Sequence, residues 1–187
     1  MKGMKIYTIS LLITMAFSDS YKEPHFELLQ RDGAIEMRKY SHYVIAKTSV
    51  TNGNGEIDNH MFRTLANYIF GGNSESRSIP MTAPVITRED DDSYDMIFFM
   101  LDVDKSDQLP APNTDNISIE TMNIGKAIAI TFGMWATDWR VEYYKKKLDT
   151  YVEKNNIITT SNIIVAQYNS PWMIPPFRKN ELIYTIE

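Results

Sequence analysis

Apolar residues recur at helical spacing in the first half of the chain, at Ile57, Met61, Leu65, Tyr68 and Ile69. Spacings of three and four residues place them on one face, so the pattern predicts an amphipathic helix. Gly71 and Gly72 follow, and glycine readily adopts the positive φ at which helices end. A strand is predicted next, over Ile79–Ile86. Because Pro80 and Pro84 cannot donate to a ladder, we expect that strand to lie at an edge or to be bulged.

A second amphipathic helix is predicted from near Thr137, whose hydroxyl can cap the first turn, to Asn155-Asn156. Its buried stripe consists of Val141, Tyr144, Leu148, Tyr151 and Val152. Elsewhere apolar and polar residues alternate, as at Ile35–Tyr40, or β-branched residues cluster, as at Tyr43–Val50, and both patterns are typical of strands. About eight strands and two helices result, joined mainly by hairpin-like links. This order predicts an antiparallel α+β domain.

The first 18 residues have the pattern of a signal peptide. Lys2 and Lys5 precede an apolar stretch, Ile6–Phe17, that is too short to span a bilayer comfortably. A buried N-terminal strand or helix is the alternative. We expect residues 1–18 to be removed and residues 19–187 to form one exported domain, periplasmic or secreted, without an integral membrane segment. A cytoplasmic location is the alternative.

Charge and cysteine content narrow the functional classes. The 187 residues carry a net charge of −5, which argues against nucleic acid as the main partner, because phosphate binding needs concentrated positive charge. The chain has no cysteine, which excludes disulfides, thiolate nucleophiles and zinc–sulfur sites. A hydrophobic content of 43% is typical of a soluble globular protein.

Motifs for catalysis are missing from the sequence. Serine hydrolysis needs a nucleophile, a base and an orienting acid. None of the three histidines, His25, His42 and His60, stands in a nucleophile motif, and the Gly-x-Ser-x-Gly elbow and phosphate-cradling loops are missing too. Paired carboxylates stay possible, since folding can join any two of them. The sequence therefore predicts a protein that is not an enzyme.

Five blocks of sequence, in order, resemble the SOUL/haem-binding protein family: Ile35–Tyr40, Met81–Val85, Leu109–Asn113, Ala166–Trp172 and Pro175–Glu181. The resemblance extends over roughly residues 22–187. It implies a distorted antiparallel β-barrel flanked by two α-helices, with pseudo-symmetric halves. It also implies that the protein binds haem or another tetrapyrrole reversibly, for sequestration, transport or buffering.

The resemblance places the haem pocket beside the first helix. Haem needs apolar walls, an axial ligand and donors for its propionates. Carried onto this chain, the pocket consists of His60, Met61, Phe62, Arg63, Leu65, Ala66, Ile69 and His42. His60 is the candidate iron ligand, because Lys39 stands where some family members have a histidine. The alternative is that the apolar stripe is ordinary core.

Two other functions stay open, along with a structural expectation for the C-terminal block. One is a general module for hydrophobic ligands or protein partners, since similar two-helix barrels resemble bacterial effector-binding domains. The other is an enzyme that modifies a tetrapyrrole. Near the C-terminus, we expect a loop to pack over the barrel end through Tyr168, Pro171, Trp172 and Phe177. We expect a polar network of Arg178, Asn180 and Glu181.

Overall fold

Nine antiparallel strands form one curved sheet flanked by two helices in a computed structural model of the protein, which describes residues 21–51, 55–90, 93–170 and 172–187. The predicted signal peptide and Pro171 lie outside the described residues. The strands are β1 (Phe26–Asp32), β2 (Ile35–Tyr40), β3 (His42–Val50), β4 (Val85–Asp90), β5 (Ser93–Phe99), β6 (Ser118–Asn123), β7 (Lys126–Phe132), β8 (Ile164–Gln167) and β9 (Asn180–Thr185). The helices are α1 (Gly55–Ile69) and α2 (Asp138–Lys154).

Strand β2 continues almost directly into β3, and β6 into β7, and these two continuous pairs curl the sheet into the predicted distorted barrel. The strand order is β1-β2-β7-β9-β8-β4-β5-β3-β6. Only Ser41 separates β2 from β3, and only two residues separate β6 from β7. The β2–β7 and β3–β6 ladders keep one register, with Lys39 opposite Lys126 and His42 opposite Asn123. The barrel is therefore continuous along these strands, although β1 and β6, at the ends of the order, do not pair with each other.

The two halves of the fold repeat one arrangement. Helix α1 packs on β3 and β5, and α2 packs on β7 and β9. Strands β3, β5 and β4 are neighbours in the first half, as β7, β9 and β8 are in the second. The halves join through the β4–β8 ladder. The expectation of an α+β fold with two flanking helices and pseudo-symmetric halves is confirmed.

Three apolar clusters hold these layers together. Under α1, Met61 and Leu65 pack against Phe98 of β5. Under α2, Leu148 packs against Leu182 of β9. The third cluster fills the barrel between the halves, with Ile45, Ile86, Ile97, Phe99, Ala166 and Ile183. Full burial of one such large side chain contributes roughly 1.5–3 kcal/mol, so each helix is fixed by the few residues of its inner face.

The proline-containing strand was predicted at the wrong place. Residues 79–84 form no strand, and β4 begins at Val85, directly after Pro84. The prolines therefore precede the ladder and remove no hydrogen bond from it. As a result β4 lies in the middle of the sheet, between β8 and β5, and not at an edge.

The ends of α2 agree with the prediction, but its N-terminal cap does not. Thr137 occupies the cap position, yet its hydroxyl makes no capping hydrogen bond. The first turn is closed by the backbone, where the Val141 amide donates to the Thr137 carbonyl at 2.9 Å. At the other end, Asn155 Nδ2 donates to the Tyr151 carbonyl at 2.8 Å and satisfies one of the last acceptors of the helix.

Candidate functional site

The residues predicted to form a haem wall on α1 divide between two faces of the helix. Met61, Leu65 and Ile69 are fully buried between α1 and the sheet. Ala66 is half-buried, and Phe62 is partly exposed, with its ring 5.4 Å from that of Phe98 in an edge-to-face contact. The buried stripe is helix–sheet core, so a ligand reaches it only if α1 moves off the sheet.

The polar candidates on α1 and β3 point to solvent. His60 and Arg63 are exposed on α1, and His42 is exposed at the start of β3. Among the residues that the structure describes, no three His, Asp or Glu side chains cluster in a way that could hold a metal ion. Ligation of haem iron by His60 or His42 therefore stays a prediction. In either case one imidazole would be the protein ligand.

An ion pair that crosses the barrel interior is the most buried polar feature of the fold. Arg38 of β2 binds the Glu181 carboxylate of β9 with two hydrogen bonds, of 2.7 and 2.8 Å. Arg38 also donates to Glu36 at 2.7 Å and to the Tyr40 hydroxyl at 2.9 Å. The Tyr168 hydroxyl donates to Glu181 at 2.6 Å. We call these five residues the interior network.

The surroundings of Arg38, Glu181, Tyr40 and Tyr168 shift the pKa of each of these four groups away from neutral pH. Burial favours the uncharged forms, but the mutual hydrogen bonds and charges of Arg38 and Glu181 outweigh it, so the pKa of Arg38 is raised and that of Glu181 is lowered. Burial raises the pKa of Tyr40 to about 12 and that of Tyr168 well above its usual value. A general acid or base works best with a pKa near the operating pH, so these four groups are poorly matched to acid–base catalysis at neutral pH.

A small apolar cavity lies among the interior side chains of the described sheet. The cavity has a volume of about 20 Å³ and is lined by apolar atoms of side chains such as Ile86, Phe99 and Ile183, below Tyr40 and Tyr168. A volume of this size corresponds to about one water molecule. This cavity is therefore too small for a tetrapyrrole.

A surface groove between the N-terminal segment and β3 has the volume that a large ligand needs. It measures about 970 Å³, at the upper end of the ~300–1,000 Å³ usual for small-molecule sites. We call it the N-terminal groove. Its lining includes two of the three histidines, His25 and His42, beside Tyr21, Phe26, Tyr43, Leu101 and Val103.

Backbone contacts hold the walls of the N-terminal groove. The Ala83 amide donates to the Lys22 carbonyl at 2.9 Å, which ties the N-terminal segment to the loop before β4. The Tyr43 hydroxyl donates to the His25 carbonyl, and the Tyr43 ring packs edge-on against Phe99 at 5.7 Å. The groove thus joins residues 21–26, the start of β3 and the loop after β5, which are far apart in sequence.

The C-terminal block packs differently from the expectation. Tyr168 is buried, as predicted, but Trp172 and Phe177 project into solvent. Arg178 holds their loop by donating to the carbonyl oxygens of Ser170 and Met173 at 3.1 and 3.2 Å. Its polar partners are therefore loop carbonyls, separate from the interior network that Glu181 joins.

Sequence reasoning missed most of the N-terminal groove because no local pattern marks it. His42 was singled out, but its groove neighbours were not, since a groove assembled from three segments has no periodicity of its own. Sequence reasoning placed Glu181 in a polar network but grouped it with Arg178. Its partner is Arg38, 143 positions away in sequence, and no local pattern connects the two.

The fold and the N-terminal groove define a class: small α+β domains in which two helices flank a curved antiparallel sheet and a large pocket opens at the surface. Within this class, the chain belongs to the SOUL heme-binding protein family, whose model matches residues 21–185. No curated protein sequence matches the chain.

Solved structures share this fold at low sequence identity. The EcmrR C-terminal domain is similar with a TM-score of 0.63 and 12% identity, over 82% of this chain and 96% of that domain. A hydrolase from Listeria innocua is similar with a TM-score of 0.56 and 9% identity, over 85% of this chain and 94% of the other. At these identities the likeness establishes the common fold alone.

Proposed function

We propose that the protein binds haem or a related tetrapyrrole reversibly, without chemical conversion, and that the N-terminal groove holds it. Membership of a heme-binding family supports the ligand class. The groove carries the assignment of the site, because it combines a volume of about 970 Å³ with two imidazoles and aromatic walls, whereas the interior cavity has only about 20 Å³.

The groove side chains match the three parts of haem. Tyr21, Phe26 and Leu101 offer flat or apolar surface to the macrocycle. His25 or His42 can supply an axial nitrogen ligand to the iron. Haem, when bound, supplies the iron and the visible absorption. Lys22 lies in the groove wall, paired with Asp102, and its ammonium can exchange that partner for a propionate.

The contacts of the buried carboxylate support the proposal of a binding role without catalysis. The buried carboxylate Glu181 accepts two hydrogen bonds from Arg38, one from the Tyr168 hydroxyl and one from the Thr131 hydroxyl at 3.2 Å, so its acceptor sites are occupied. A one-sided, open groove favours weak and exchangeable binding. A micromolar Kd, about −8 kcal/mol, suits a protein that sequesters, transports or buffers the pigment.

A haemin titration of the full chain, followed by the Soret band, tests the proposal. The three histidines are all exposed, so His25→Ala, His42→Ala and the matched control His60→Ala should leave the fold intact. We expect saturable one-to-one binding, weakened at least about tenfold, or about 1.4 kcal/mol, by one of the two groove substitutions. His60→Ala should bind like the unmodified protein.

Each other outcome has a definite meaning. Loss of binding in His60→Ala alone would move the site to α1, as the family resemblance implied, and would overturn the assignment to the groove. Folded protein without saturable binding would overturn haem as the ligand and favour a general module for hydrophobic ligands. Conversion of the pigment that Glu181→Gln abolishes would show an enzyme.

Export is a separate part of the proposal. Lys2, Lys5 and the apolar residues 6–17 support a cleaved signal peptide. Neither helix in the described part of the chain is long and apolar enough to cross a membrane. Intact mass of the protein recovered from its native cells tests the prediction, and a chain that keeps residues 1–18 would contradict it.

A further inference from the structure

Exposed aromatic side chains gather at the end of the barrel where α2 begins. The group comprises Trp135, Trp139, Tyr143, Trp172, Ile174 and Phe177, which we call the aromatic end. It contains all three tryptophans of the chain. Trp172 is 92% exposed and Phe177 is 69% exposed. Such exposure is unusual, because burying a large aromatic side chain contributes strongly to stability. Such a patch marks an interaction surface.

Arg178 joins the two segments of the aromatic end into one surface. Its guanidinium lies 4.0 Å from the centre of the Trp135 ring, in the loop before α2. The same guanidinium holds the loop of Trp172 through the carbonyls of Ser170 and Met173. A second tie is the side chain of Asn180, which donates to the Met134 carbonyl at 2.9 Å.

The aromatic end has a local excess of basic residues in an acidic protein, although Lys145 is paired with Asp149 and Lys179 with Glu23. Its two segments, residues 133–147 and 168–180, contain six Lys or Arg and two Asp or Glu, whereas the whole chain has a net charge of −5. The cations lie against the aromatic rings: Arg140 is 4.4 Å from the Trp139 ring centre, and Lys147 is 4.6 Å from that of Tyr143. Together the rings and cations offer apolar surface and positive charge side by side.

Unpaired polar atoms occur at the same place. In the described parts of the chain, the buried side-chain polar atoms without a hydrogen-bond partner are Nε of Arg140, Nε of Arg178 and Oδ1 of Asn180. All three belong to residues that border the aromatic end. Two of them are donors of Arg140 and Arg178, so the unmet hydrogen-bonding capacity in the described parts lies on basic residues beside the aromatic end.

We propose that the aromatic end docks on an anionic membrane surface. Tryptophan and tyrosine prefer the level of the lipid headgroups, and basic residues beside them attract anionic lipids. The geometry fits insertion because the side chains project, with Trp139, Trp172, Ile174 and Phe177 each more than half exposed. Arg140, Lys146 and Lys147 would then face phosphates, and the acidic remainder of the protein would be held away from the bilayer.

Tryptophan fluorescence reports on this surface directly, because every tryptophan of the chain lies in it. The full chain is mixed with vesicles of phosphatidylcholine alone or with phosphatidylserine added, including versions with brominated acyl chains. We expect a blue shift and bromine quenching with the anionic vesicles, weakening as salt is raised. Quenching distinguishes insertion of this end from attachment through residues 1–20, which contain no tryptophan.

Matched variants locate the contact. The pair W139A/W172A should weaken binding at least about tenfold and keeps Trp135 as the reporter. The pair K146A/K147A should weaken it roughly fivefold per residue, following the attraction of a basic residue to an anionic leaflet. The control is Phe70→Ala, directly after the last residue of α1, since Phe70 is as exposed as Phe177, at 69%. It should leave the titration unchanged.

Four results would overturn membrane docking. The first is an unshifted spectrum with anionic vesicles, and the second is an equal shift with phosphatidylcholine alone. The third is the same shift with soluble glycerophosphoserine, which would indicate a site for a free anion. The fourth is a blue shift that appears on concentrating the protein without lipid, which would indicate that the aromatic end joins two copies of this chain.

Discussion

Replacing Arg38 by methionine should destabilise the fold more than any other exchange of a basic residue in the described sheet. Arg38 and Glu181 are 3% and 1% exposed in their side chains, so the substitution removes the two-bond partner of a buried carboxylate and leaves only Lys179, at 3.9 Å, as a nearby cation. Breaking a buried ion pair on one side costs about 3–5 kcal/mol. Urea unfolding should show this loss of stability in Arg38→Met, and Arg31→Met serves as the matched control. Arg31 binds Glu36 but is 60% exposed, so the control should lose only about 0–1 kcal/mol.

The pH dependence of the loss identifies its cause. In the unmodified protein the pKa of Glu181 is lowered, so its contribution to stability is complete above the unfolded value of about 4.3 and disappears as the pH falls through the folded value. In Arg38→Met the burial remains without the cation, which raises the pKa of Glu181. The penalty should therefore be largest at neutral pH and shrink as the pH falls through that raised value.

A double variant separates lost charge pairing from lost packing. In R38M/E181Q no charge is left unpaired by the exchange, and the glutamine can still accept from Tyr168. We expect this variant to regain most of the stability that Arg38→Met loses. If the two variants unfold at the same urea concentration, and if the loss in Arg38→Met does not depend on pH, the reasoning from an uncompensated carboxylate is wrong.

Two further stability predictions follow from the packing. Gly72→Ala should cost about 1–3 kcal/mol in urea unfolding, because a Cβ there would lie 2.7 Å from the Asn67 carbonyl oxygen; an unchanged midpoint would contradict that crowding. Leu148→Ala should cost about 2–5 kcal/mol, since Leu148 is fully buried under α2, whereas exposed Glu153→Ala should stay within about 0.5 kcal/mol. Similar losses in the two helix variants would refute the assignment of the buried stripe.

The helices and the fold class could be predicted because their signals are local. The stripe from Ile57 to Ile69 predicted α1, and the structure extends that helix only to Gly55. The strand before Val85 was misplaced because alternation of apolar residues continues through Pro80 and Pro84, although the ladder does not. Pro80 and Pro84 have no backbone N–H to donate to a ladder, and the pattern of apolar side chains gives no information about backbone donors.

The sequence predicted the class of ligand but not the location of the candidate site. Resemblance to the family indicated haem, but the local pattern on α1 marks helix–sheet core as readily as a pocket wall, and the structure buries Met61 and Leu65 against the sheet. The N-terminal groove depends on contacts between distant segments, such as the Tyr43 hydroxyl with the His25 carbonyl. No spacing rule connects those positions, so only the folded chain shows that they meet.

The interior network also explains why a ligand site on this barrel should lie outside the sheet. A ligand inside would have to displace Arg38 from Glu181, and the cost of leaving either charge unpaired is comparable to about half of a micromolar binding energy. The outer groove avoids that cost, because its histidines and aromatic rings are already in contact with solvent. An arrangement of this kind favours exchange of the ligand over permanent retention, which is what a carrier or buffer requires.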